Sequence, residues 1–128
     1  MTVTEAILEV SNVKPHKYND ATLTRWLSEL DGKVWEDLYA NYPDAPDKPS
    51  LPYDAVGSTP VSLLIPFPHE DVYIKYLCAQ IDFHNAEFER YNNDMLMFNA
   101  QYQAFVDAFT RSHMPEPVYI KGARGTFA

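Results

Sequence analysis

From Glu70 to Met114 the chain contains neither glycine nor proline, and its large apolar residues recur at alternating steps of four and three. Leu77, Ile81, His84, Phe88, Tyr91, Met95, Phe98, Tyr102, Phe105 and Phe109 mark a beat that is the a/d pattern of a long helix packed along one seam. This predicts one helix over residues 70–113, entered through Glu70 and Asp71, whose carboxylates suit the positive end of the helix dipole. Asn92, Asn93 and Asp94 are its weak point, because short polar side chains compete for backbone hydrogen bonds. A kink, if there is one, belongs there, although the phase runs unbroken from Tyr91 to Met95. Upstream, Thr2 and Glu5 form a capping box, and Ile7, Val10 and Val13 give a short apolar face before Pro15 removes a donor, so a helix is expected over 2–14. Asn19 or Asp20 caps a second helix over 20–42, with Leu23, Trp26, Leu27, Leu30, Val34, Leu38 and Tyr42 at helical spacing up to Pro43. Asp31-Gly32 would mark a turn only between alternating flanks. These flanks are helical, so the glycine is kept inside the helix at a cost of about 1 kcal/mol.

Prolines at 43, 46, 49, 52, 60, 66 and 68 make residues 43–69 an extended connector, each proline lacking a donor and biasing its predecessor away from helix. Val61 to Ile65 is its only strand candidate, and a lone strand needs a partner from elsewhere. Pro115 and Pro117 end the long helix and leave an extended C-terminal arm over 115–128. The expected fold is a mainly α single domain over 1–128: a small bundle with two N-terminal helices on one long helix, a Pro-rich connector and the arm. Hydrophobic residues on such segments dock on neighbours or add strands to exposed edges. Leu63, Leu64 and Ile65 in the connector and Tyr119, Ile120 and Phe127 in the arm are therefore the expected interface residues.

A length of 128 residues allows folding to bury roughly two-thirds of the unfolded surface without disulfides. The lone Cys78 is expected to be a small buried hydrophobe. The chain opens directly on a helix signal with no charged-then-apolar leader, and no purely apolar run exceeds four residues, so neither export nor membrane insertion is expected. Net charge is −8, with ten acids against five bases over residues 1–54 and seven against three over 70–114. No lysine and arginine cluster exists to displace counterions from nucleic acid; an acidic surface repels DNA.

Candidate chemistry is sparse. His84, near Asp82, Glu87 and Glu89, is the one histidine among acids on a helix. Carboxylate-bridged metal sites need a Glu-x-x-His step on two helices, and His84 to Glu87 is a single reversed pair. A metal-dependent hydrolase resting on His84 is thus the weakest functional reading. Ser58 and Cys78 lack the base and strained turn of a nucleophile, and Gly32, Gly57, Gly122 and Gly125 open no phosphate-binding helix. No catalytic, cofactor or metal residues are assigned, and the chain is expected not to be an enzyme.

Several stretches carry a resemblance: Val13, Lys14, Pro15 and Tyr18; Arg25 to Gly32; Ala79 to Asp82; Glu89 to Asn93; and Phe98, Asn99, Ala100 with Tyr102 to Phe105. Together they resemble small head-tail connector, or adaptor, proteins encoded by phages and prophages of low-GC Gram-positive bacteria. That resemblance implies a helical protein that forms a ring with copies of itself beneath the portal, contacts portal and tail-completion proteins, and lets DNA pass without specific binding. It implies a virion component assembled in the host cytoplasm, with no cofactor and no membrane. The alternative is a prophage-encoded acidic helical module that regulates or inhibits a host protein.

Overall fold

Thr2 accepts a hydrogen bond from the Glu5 amide at 3.1 Å while the Glu5 carboxylate accepts from the Thr2 amide at 2.8 Å, so the capping box opens α1 (Val3–Val13) as the spacing predicts. The computed structural model describes residues 1–42, 47–54 and 60–113. α2 (Asp20–Asp37) starts from Asn19, whose side chain accepts from the Thr22 amide at 2.9 Å, and Gly32 lies within it. A short 3-10 turn, Tyr39–Asn41, carries the chain on to Tyr42.

The expected long helix is two. α3 (Asp71–His84) and α4 (Phe88–Ser112) are joined by a turn in which Ala86 takes φ 61°, the left-handed region. The Ala86 amide bonds to the Phe83 carbonyl at 3.0 Å and the Glu87 amide to the Asp82 carbonyl at 2.9 Å. That pair of bonds is the Schellman arrangement, usually built on glycine. The helix runs unbroken through Asn92 to Asp94, so the expected weak point is not where the chain turns. Tyr18 donates to the Asn85 side chain at 2.7 Å and pins the turn from the loop after α1.

The reversal follows from burial. A helix of 44 residues would be about 66 Å long, far outreaching α1 and α2 and leaving half its aromatic seam in water. Folded back, α4 runs antiparallel to α3: Phe83 meets Tyr91 at 5.2 Å between ring centres, Tyr76 meets Phe98 at 5.4 Å, and Gln101 donates to Asp71 at 2.8 Å. Burying several aromatic rings at about 1.5–3 kcal/mol each outweighs the roughly 1–2 kcal/mol of a left-handed alanine. The regular four-three beat therefore spans a hairpin whose two arms pack on each other.

α3 is the central helix, in contact with α1, α2 and α4. Val72, Tyr73, Leu77, Ala79 and Ile81 on it are fully buried, together with Val10 of α1 and Leu23, Leu27 and Val34 of α2. The described fold is mainly α, with no strand longer than one bridge: Ser62 pairs antiparallel with Thr2. Val3 donates to the Val61 carbonyl at 2.9 Å and Leu63 to the Met1 carbonyl at 3.0 Å, so the strand candidate finds its partner in the chain's own N-terminus.

Candidate functional site

Three features stand out. The first is a buried carboxylate, Asp31 on α2, fully enclosed. Its Oδ1 accepts from the Tyr73 hydroxyl at 2.5 Å, and its Oδ2 from the Tyr53 hydroxyl at 2.6 Å and the Leu64 amide at 3.0 Å. The Tyr73 oxygen in turn accepts from the Ile65 amide at 2.7 Å, and Tyr39 donates to the Leu64 carbonyl at 3.0 Å. Burial raises the Asp31 carboxyl above its ordinary 3.8, with the bonds from Tyr53, Tyr73 and Leu64 pulling it back down. Burial together with Asp31 pushes the Tyr53 and Tyr73 hydroxyls upward, and Tyr39 is pushed up to about 12. Both tyrosines therefore remain donors at any physiological pH. This hub latches the Pro-rich connector to α2 and α3.

The latch corrects the expectation for the connector. Leu63 is 7% exposed and Ile65 is fully buried, so both belong to the core rather than to a docking patch, and Leu64 is partly buried with both backbone groups bonded inside the hub. Tyr119, Ile120 and Phe127 lie outside the described residues.

The second feature is the outward side of α4. Phe98, Phe105 and Phe109 point inward, yet Leu96 is 69% and Met97 48% exposed. Between Arg90 and Asp107 the only charged residue is Asp94, and it turns toward Asp82 of α3. The exposed side, with Asn92, Asn93, Leu96, Met97, Ala100 and Gln103, is thus free of charge for about four turns. On an acidic chain such a face is the place where another molecule can approach without Coulomb repulsion.

The third feature is an apolar groove of about 290 Å³ between residues 66–69 and the end of α4, lined by Pro66, Phe67, Phe105, Phe109 and His113 among others. Phe67 is 82% exposed at its lip. Its floor is an aromatic stack: Phe109 lies on Tyr39 at 4.8 Å and under His113 at 4.0 Å. No protein family, curated protein or solved structure matches this chain. Geometry alone therefore describes these surfaces.

His84 packs among aromatic rings. Its ring packs on Trp26 at 4.9 Å and Tyr18 at 6.2 Å, and its Nδ1 lies 2.9 Å from the Gln80 carbonyl. Among the described residues no group of three His, Cys, Asp or Glu side chains converges in a way that could hold a metal. Cys78 is buried, as expected, and burial raises its thiol.

Leu96 and Met97 are not among the interface residues expected from the sequence, although both are apolar and fall off the seam. Asp31 was not singled out either, although its place among Leu27, Leu30 and Val34 on the apolar side of α2 is a signal that could have marked it. No signal in the sequence points to the groove, because its two walls are brought together only by the hairpin.

Proposed function

We propose that this chain is a structural component of a phage virion that joins head to tail by assembling with copies of itself and with portal and tail-completion proteins. The observation that carries this reading is the charge-free outward face of α4 with Leu96 and Met97 in its middle. Two copies of a chain carrying −8 repel over about 8 Å at physiological salt, so contact between copies needs a neutral face. In this reading the arm residues Tyr119, Ile120 and Phe127, expected from the sequence to be interface residues, contact a neighbouring copy. Such a head-to-tail contact closes into a ring when its rotation allows. The resemblance to connector proteins supports the same reading, and an acidic ring would let DNA slide through rather than adhere. No helix among the described residues is long and apolar enough to cross a membrane, and the proposed location is the virion, assembled in the host cytoplasm.

Paired substitution Leu96→Glu, Met97→Glu tests the proposal, with mass measured by light scattering for the protein alone and mixed with portal rings. The native chain should associate at high concentration or on the rings. The variant should lose this association while melting at the same temperature, because both side chains stand in solvent. A native chain that stays monomeric and ignores portal rings sinks the proposal.

A further inference from the structure

Lys14, which caps the end of α1, extends its ammonium to 3.2 Å from Asp82 Oδ1 on α3. Asp82 is 1% exposed, and apart from the Lys14 ammonium at Oδ1 its carboxylate meets no donor; Asp94 Oδ2, facing it from α4, has none either. Two buried carboxylate oxygens without donors, Asp82 Oδ2 and Asp94 Oδ2, are an arrangement that folded chains avoid. Two ionised carboxylates side by side also repel, and one lysine balances only one of them. Lys75 adds positive charge from α3, but its ammonium lies 3.8 Å from Asp71. Cys78, also on α3, is the remaining titratable neighbour, and its raised thiol stays neutral.

A single proton between the two carboxyls resolves the imbalance, since one oxygen becomes a donor to the other and net charge falls to match Lys14. We propose that the folded protein holds one proton on the Asp94 carboxyl, donated to Asp82, and that releasing it as pH rises loosens the α3–α4 hairpin where it grips the end of α1. Burial, then the hydrogen bond to Asp82 and its charge, push the Asp94 carboxyl up to about 6, while Lys14 and Lys75 pull it down. A carboxyl raised in the folded state contributes stability that is fully present below its unfolded value of 3.8 and is lost as pH rises through about 6. The pair is therefore closed in mildly acidic solution and strained at neutral pH.

Asp94→Asn gives the test, because an amide donates to Asp82 at every pH. Between pH 5 and 7.5 the folding constant of the native chain should fall severalfold relative to the variant, with about tenfold the ceiling for one proton on a partly screened group. Carbon-detected titration of the aspartate carboxyls in the full chain should show a midpoint near 6, and Lys14→Gln should move it higher. Equal pH slopes for native chain and variant, or an Asp94 midpoint near 4, would overturn the proposal. If Asp94→Asn fails to fold, the titration of the native chain decides alone.

Discussion

Tyr73→Phe removes one oxygen from the centre of the bundle, and the hub around Asp31 sets what that does. Two bonds go with it: the donation to Asp31 Oδ1 at 2.5 Å and the acceptance from the Ile65 amide at 2.7 Å. A hydrogen bond to a charged group contributes about 1.5–3 kcal/mol, and a buried amide left unpaired costs about 1–3 kcal/mol more, for a loss of about 3–5 kcal/mol. Tyr53→Phe removes a single donor from an oxygen that keeps the Leu64 amide, so its loss should be about 1.5–3 kcal/mol. At this chain length each kcal/mol moves the melting temperature by about 3–5 °C. Thermal and urea unfolding should therefore rank Tyr73→Phe below Tyr53→Phe by several degrees. The pH dependence has a defined sign. Asp31 is already raised by burial, and losing the Tyr73 donor raises it further, so the variant's deficit should be larger at pH 7 than at pH 4.5. A Tyr73→Phe protein as stable as Tyr53→Phe, or one whose deficit shrinks toward neutral pH, would refute the hub as the latch of the connector.

Two backbone substitutions should raise stability. Gly32→Ala adds a methyl that meets Leu51 Cδ1 at 3.5 Å, an ordinary contact, within the interior of α2; the denaturation midpoint should increase, by up to about 1 kcal/mol of stability. Ala86→Gly relieves the left-handed φ of 61° at the hairpin turn and should stabilise by about 1 kcal/mol, measured the same way, whereas the same change at Ala100 within α4 should destabilise by about as much.

Local rules were legible along the chain because they act between near neighbours. Thr2 with Glu5 and Asn19 with Thr22 place the starts of α1 and α2 from side chain to backbone bonds three residues apart. The helical spacing from Leu23 to Val34 was enough to carry α2 through Gly32. By itself the sequence determined a mainly helical chain, the inward rings Phe98, Phe105 and Phe109 and the acidic charge. The reversal at Ala86 was not legible, because no glycine or proline marks it and the apolar beat continues across it. Only the gain from packing α4 against α3 pays for a left-handed alanine, and that gain exists in the folded molecule alone. The same is true of Leu63 and Ile65: an apolar run can dock on a neighbour or enter its own core, and the donors and acceptors of Asp31, Tyr73 and Met1 decide for the core. Tertiary structure likewise brings Asp82 and Asp94 together across the hairpin and builds the groove beside Phe67, since these side chains become neighbours only when the chain turns back on itself.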